Sequence, residues 1–465
     1  MRSTAVPSEL GTKKITSLLK QYAVPSIIAM TASSLYNMVD SIYIGHIKDV
    51  GSLAISGLAV TFPLMNLSAA LGTLVGAGAS TMISVLLGQK NYKTANTVLA
   101  NEITLNTILG ISFSIITLMF LHPILYFFGA SSNTIAYASS YMEIILYGNV
   151  FTHMYFGLNS IIRAAGNPKL AMRLTIFTVV FNSILDPILI FGLGMGIRGA
   201  AIATVVSQVI ALSYSFSYFL NKKNYLHFPK GVFKLDMRIA WNSLAIGMGP
   251  FLMNAASCIV TLFINQQLRK YGGDLAIGSY GIVNRISFLF IMINMGFNQG
   301  MQPIAGYNFG ARKYSRVRSV FFQTAAWATL VTCIGFAISE FIPGIAVSAF
   351  TNDPVLKGMA AKGLKIMNLA YPFVGFQMVA TNFFQCLGMV KKSILLSLSR
   401  QLLFLVPLIY ILPSFLGAEG VWTSFPIADS LSIILSGTLL FSLMGKFKRL
   451  EDGDDPTILG SKIAK

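Results

Sequence analysis

Apolar residues in this chain run in long blocks, and polar residues inside the blocks are scarce enough to be informative. Twelve blocks are read, near 15–44, 53–87, 95–121, 134–160, 168–192, 199–220, 238–268, 275–307, 315–341, 355–386, 393–415 and 420–445. Each is long enough to cross about 30 Å of hydrocarbon as a helix. In the first block, Ser33, Tyr36, Asn37 and Asp40 recur at i, i+3, i+4 and i+7, which is one face of a helix. In the fifth, Thr178, Asn182 and Asp186 recur at i, i+4 and i+8, with Pro187 directly after the acid. Thr204 and Gln208 lie one turn apart in the sixth. Proline within a helix removes a backbone donor, so the carbonyl of Ser183 is expected to lose its usual partner.

The pattern is also written twice. Gly88-Gln-Lys-Asn-Tyr-Lys-Thr-Ala95 returns as Gly310-Ala-Arg-Lys-Tyr-Ser-Arg-Val317. Leu53-Ala-Ile55 returns as Leu275-Ala-Ile277, and Gly166-Asn-Pro-Lys169 as Gly388-Met-Val-Lys391, all at one offset. Six spans per half start and finish on the same side, so the halves are parallel repeats related by an axis along the membrane normal. The expected fold is an all-α membrane protein of twelve transmembrane helices in two parallel six-helix bundles. The N-terminal lobe is drawn at 1–222, a basic cytoplasmic connector at 223–236, the C-terminal lobe at 237–446 and a cytoplasmic tail at 447–465. The halves differ where chemistry is concerned. Asp40 aligns with Asn265 across a short gap, and Asp186 with Leu408.

Composition agrees with a bilayer setting: 54% of residues are hydrophobic and 11% charged, against about 25% charged in soluble domains. The net charge of +18 follows the loops rather than marking a nucleic-acid surface. Lys90, Lys93, Arg163, Lys169, Arg312, Lys313 and Lys391 fall in alternate loops, whereas 122–133 and 413–420 carry no Lys or Arg. The positive-inside rule then places both termini in the cytoplasm. No cleavable signal peptide is read at the polar N-terminus. Cys258, Cys333 and Cys386 lie in separate spans and read as small buried apolar residues.

A carboxylate at bilayer depth is expensive unless it takes a proton or a cation, so intramembrane acids mark function by default. Two acids facing one cavity are expected to titrate as a coupled pair. Asn, Asp and a freed carbonyl also form a set of hard oxygen ligands for a small cation. Other charges carry less weight. Glu102 and Glu143 are placed near span ends, within reach of water, and Arg400 is a candidate partner for Asp429. His153 reads as a core histidine. Gly194-Met-Gly-Ile-Arg-Gly199 spells a dinucleotide fingerprint but lies between membrane helices, without the strand such a site needs. Without a His cluster or a nucleophile motif, the chain is not read as an enzyme, and no cofactor is expected.

With twelve spans, parallel halves, Asp40, Gly88-Gln89, Arg163-Ala-Ala-Gly-Asn-Pro-Lys169 and Asn182-Ser-Ile-Leu-Asp-Pro187 in hand, the chain resembles the MATE (multidrug and toxic compound extrusion) transporters, most of all the bacterial MepA-like and DinF-like branch. The likeness covers nearly the whole chain. It implies a cation site of the N-terminal lobe at Asp40, Asn182, Asp186 and Thr204, which would hold a proton or sodium. It implies a substrate cavity lined by Tyr36, Asn37, Tyr141 and Asn159, to which Gln208 is added. The implied activity is antiport of lipophilic, mostly cationic drugs against protons or sodium across the cell (inner) membrane, by a monomer, as in antibiotic resistance. Small cationic molecules and membrane lipids are the expected partners, and nucleic acid is not. The alternative is a flippase for lipid-linked saccharides on the same scaffold, which would need a basic central cavity.

Overall fold

The computed structural model describes residues 9–48, 50–229, 231, 234–351 and 353–451; for residues 35–38, 52 and 274 it describes the backbone alone. Among the described residues the chain is helical, with no strand. Twelve long segments follow one another: α1 (Ile15–Gly45), α2 (Gly51–Gly88), α3 (Tyr92–Met119), α4 (Ile135–Ala164), α5 (Pro168–Gly192), α6 (Ile197–Leu220), α7 (Met237–Gly273), α8 (Leu275–Gly310), α9 (Tyr314–Phe341), α10 (Pro354–Met367, resumed as Tyr371–Cys386), α11 (Val390–Leu416) and α12 (Ala418–Glu451). They correspond one to one with the twelve apolar blocks. Nine of them, among the described residues, are long and apolar enough to cross a membrane.

Local chemistry sets the breaks. α7 and α8 are parted by Gly273 alone, whose φ of 70° is open to glycine and strained for other residues. α10 starts on Asp353, whose carboxylate accepts from the backbone N–H groups of Val355 and Leu356, with Pro354 in the first turn. In α5 the α-helix gives way after Pro187 to a π-helical turn at Ile188–Gly192, where the missing proline N–H loosens the ladder.

The repeat is visible in the helix ends. After α2, the N–H of Lys90 bonds the carbonyl of Leu87 and that of Asn91 bonds Leu86. After α8, Arg312 bonds Phe309 and Lys313 bonds Asn308 in the same pattern. Lys90 and Arg312 are both left-handed, with φ of 59° and 56°. The matched sequence stretches therefore fold into matched C-terminal caps.

The helices pack into two compact units. Ile28–Phe251, with residues 9–12, form the first; Lys13–Ile27, with the chain from Leu252 onward, form the second. The first half of α1 thus belongs with the second unit, and the first half of α7 with the first. Small residues allow both placements. In the first unit a Cβ on Gly78 would lie 1.9 Å from the carbonyl oxygen of Ser243, and one on Gly247 1.8 Å from that of Leu74. In the second, a Cβ on Gly300 would lie 2.5 Å from the backbone α-carbon of Ala23. Backbones this close exclude any side chain larger than hydrogen.

The core of the first unit includes Ile44, Leu64, Tyr141, Met142, Leu146 and Ile190. That of the second is built around Val260, Ile264, Tyr280, Trp422 and Phe425. The second unit also holds an ion pair inside its helices. Arg400 Nε donates to Asp429 Oδ1 at 2.6 Å, and the Asp429 side chain is 6% exposed. This is the pairing the sequence suggested.

Two stability outcomes follow from these packing arrangements. Gly78→Leu is expected to cost about 3 kcal/mol by overpacking, seen as a lowered melting temperature of the purified protein, while Gly437→Leu, with open space around it, leaves it unchanged. Asp429→Asn strands a guanidinium and is expected to cost about 3 kcal/mol. Replacing both partners (Arg400→Met with Asp429→Leu) should recover most of that loss in the same thermal assay.

Candidate functional site: a buried carboxyl pair in the first unit

Three helices of the first unit bring Asp40, Asn182, Asp186 and Thr204 together. Asp40 lies in the last turns of α1, Asn182 and Asp186 stand one turn apart on α5, and Thr204 projects from α6. All four are buried, with Asp186 0% and Asp40 5% exposed. The carboxyl group of Asp40 lies within hydrogen-bonding reach of that of Asp186. Asn182 Nδ2 donates to Thr204 Oγ1 at 3.2 Å. That bond turns the amide oxygen of Asn182 away from Thr204, and Asn182 Oδ1 is buried with no protein hydrogen-bond partner. So are Asp40 Oδ1 and both carboxyl oxygens of Asp186.

Four unmatched acceptor oxygens on three neighbouring side chains cannot be left as they stand in an apolar bundle, because each lost hydrogen bond is costly. Two carboxylates within hydrogen-bonding reach repel unless something positive lies between them. A proton satisfies the pair by making one carboxyl the donor to the other. A small hard cation satisfies more of the set at once, since it takes carboxylate, amide and hydroxyl oxygens together. The donor set fits either ion. Among the described residues no group of three His, Cys, Asp or Glu side chains could hold a transition metal.

The other residues singled out in the sequence are placed differently. Tyr141 is 1% exposed and packs in the apolar core of the first unit. Asn159 Nδ2 is committed to the carbonyl of Ala171 at 3.0 Å. Gln208 Oε1 accepts from the hydroxyl of Thr152 on α4, and Thr178 Oγ1 bonds the carbonyl of Thr175 at 2.7 Å. The side chains of Tyr36 and Asn37 lie outside the described residues. His46 and His227 make local bonds to backbone carbonyls.

Glu102 requires a correction. Patterning put it near a span end, within reach of water. The structure buries it at 1% exposure, because α3 starts at Tyr92 and carries Glu102 about three turns inward. Gly157 on α4 makes the room, since a Cβ there would meet Glu102 Oε1 at 1.6 Å. The sequence signal was available: Glu102, Asn106 and Gly110 lie on one helical face, but their counterpart on α4 is set by tertiary packing.

A sequence-family model described as MatE matches residues 25–188 and 245–411. The chain is 29% identical over 428 residues to multidrug export protein MepA of Staphylococcus haemolyticus (strain JCSC1435), covering 92% of this chain and 94% of that protein. It is 29% identical over 429 residues to MepA of Staphylococcus aureus (strain NCTC 8325), covering 91% and 93%. The fold matches a solved structure described as the outward-facing conformation of a multidrug resistance MATE family transporter of the MOP superfamily. That match has a TM-score of 0.89 at 23% identity and covers 96% of this chain and 100% of that one. Apolar helices in twelve segments, caps that repeat between the halves and a family match spanning both of them make this chain a multi-pass membrane protein that belongs to the MatE family.

Proposed function

We propose that the protein is a secondary antiporter that exports lipophilic, mostly cationic compounds in exchange for protons or sodium, by alternating access. It would reside in the cell membrane with both termini cytoplasmic. The observation that carries this reading is the cluster of unmatched buried oxygens on Asp40, Asn182 and Asp186, whose two acids are replaced by Asn265 and Leu408 in the second repeat. The similarity to MepA multidrug export proteins supports the substrate class.

The chain's own residues supply a coupling device. With an ion held between them, Asp40 and Asp186 attract one another and tie the last turns of α1 to α5. With the ion gone, two negative charges face each other and push those helices apart. The α5 end of the pair lies directly before Pro187 and the π-helical turn, where the helix is easiest to bend. The α1 end belongs to a helix whose first half is grouped with the second unit. Ion binding thus acts on the helix that both units share. The emptied pair is negative, so it attracts a cationic substrate, and ion and substrate compete.

The flippase alternative finds less support. It needs a basic central cavity, for which Arg285 and Arg400 are the deep candidates; Arg400 is neutralised by Asp429, which leaves Arg285, and the first unit offers carboxyls instead.

Efflux of ethidium from proteoliposomes with separately imposed pH and sodium gradients tests the reading. One of the two gradients should drive uphill efflux, and Asp186→Asn should reduce it to the level of protein-free liposomes. Full uphill transport by Asp186→Asn, or transport of a lipid-linked saccharide in place of ethidium, would contradict it. Binding of the same cation should tighten as pH rises, because loss of the shared proton leaves net negative charge. One charge about 10 Å away at an effective dielectric of about 20 is worth about 1.7 kcal/mol, on the order of tenfold in affinity. The Asp40→Asn/Asp186→Asn double variant should bind with a flat pH profile in a fluorescence titration.

A further inference from the structure

A second buried polar network lies in the first unit, between α2, α3 and α4, and the carboxyl pair does not use it. Asn106 Nδ2 donates to Glu102 Oε1 at 2.6 Å and to the carbonyl of His153 at 3.2 Å. Ser68 Oγ donates to Asn149 Oδ1 and lies 3.1 Å from His153 Nε2. The serine proton is spent on Asn149, so His153 Nε2 is the donor in the second bond. The imidazole is then protonated at Nε2, and Nδ1 presents a bare lone pair. His153 is 0% exposed.

Four atoms of this network are buried without a protein partner: Glu102 Oε2, Asn106 Oδ1, His153 Nδ1 and Asn149 Nδ2. Their arrangement is specific. Glu102 Oε1 already accepts from Asn106, so a carboxyl proton belongs on Oε2. Asn106, one turn along α3 from Glu102, bridges to the backbone of His153. Gly157, one turn along α4 from His153, lies against Glu102, and Gly110, one turn along α3 from Asn106, lies against His153 Nδ1. A proton donor at Glu102 and an acceptor at His153 therefore stand about one helical turn apart along a single seam. Orphaned polar groups of both kinds, in a seam of this spacing, match bridging water.

Among the described residues, no fixed charge accounts for Glu102. α2 has no acidic, basic or histidine side chain along its length. On α4 the remaining titratable groups near this level turn elsewhere: Tyr155 OH meets Thr175, and Arg163 reaches Ser160. The first half of α7 meets this region through Ala240 against Val75 and Leu105. Arg238, its charged residue, lies beside Asp236, whose backbone pairs with Asn101 on a different face of α3. With no cation beside it among the described residues, the buried carboxyl favours the protonated form, and gives that proton up only where an acceptor such as His153 Nδ1 or a bridging water can receive it.

We propose that Glu102, with His153, Asn106, Asn149 and Ser68, forms a second proton-binding site of the first unit, loaded and unloaded through water in the α2–α3–α4 seam. Proton binding at this seam is independent of the antiport reading, and only its contribution to exchange rests on it. α4 gives that contribution a route: Thr152, adjacent to His153, bonds Gln208 on α6, one turn from Thr204 of the carboxyl-pair site.

Infrared difference spectroscopy of the purified full-length protein, titrated with acid, tests the site without any transport step. The background is Asp40→Asn/Asp186→Asn, which removes the two acids of the carboxyl-pair site. A protonated-carboxyl stretch that titrates in that background, is lost on adding Glu102→Gln, and shifts its midpoint on adding His153→Gln is the expected result. If Glu102→Gln does not fold, Glu102→Asp should retain the band and move its midpoint. No titrating band, a band untouched by either Glu102 variant, or a band that stays constant over the pH range in which the protein is folded would each overturn the proposal. The last would make Glu102 a fixed neutral donor. Ethidium efflux by Asp186→Asn reports on the antiport reading separately, so either can fail alone.

Discussion

Two carboxyl groups held at hydrogen-bonding range inside a bundle of apolar helices cannot both remain charged and unpartnered. The cost of an intramembrane charge is contested in size but always unfavourable, and a second like charge at contact range adds to it. Asp40 and Asp186 must therefore share their site with something positive. The local structure around them is arranged for that need. Asn182 commits its Nδ2 to Thr204, which leaves its oxygen buried and unpartnered, and Pro187 softens the helix that carries Asp186.

The repeat clarifies why this constraint reads as function. Both halves use the same left-handed caps after their second helices and comparably placed glycines at close backbone crossings. The scaffold is thus built twice, whereas the carboxyl pair is built once. The second half has Asn265 and Leu408 at the equivalent positions and places its buried acid, Asp429, against Arg400. A guanidinium is a cation that cannot leave or lose its proton at accessible pH. One repeat thus pairs its buried acid with an arginine, and the other places two acids together without one. This is the asymmetry that the proposed antiport requires, in which one bundle responds to an ion while its partner keeps its shape.

What the sequence disclosed and what it withheld divide along the range of the interactions involved. The twelve segments were legible because each is an unbroken apolar run, and their breaks at Gly273 and around Pro354 follow from single residues. Asp40, Asn182 and Asp186 stood out because a polar stripe in an apolar span has few structural excuses. The repeat could be read from three short matched stretches, two of which are helix caps. Glu102 was misplaced because its depth depends on where α3 begins and on Gly157, a residue on another helix. The placement of the first halves of α1 and α7 likewise depends on close approaches between residues such as Gly78 and Ser243, distant in sequence. For Tyr141 the expectation of a cavity wall came from the resemblance alone, and the structure groups it with Ile44, Leu64 and Ile145.

The central claim is that Asp40 and Asp186 act as one ion-binding unit. A proton-uptake titration of the wild type, Asp40→Asn, Asp186→Asn and the double variant measures this directly as a double-mutant cycle. Shared binding predicts strong non-additivity: either single replacement removes the pair's joint proton or shifts its midpoint, and the second replacement does not repeat that loss. Two independent, additive losses at ordinary carboxylate midpoints would show that the two side chains titrate as strangers and would contradict the account.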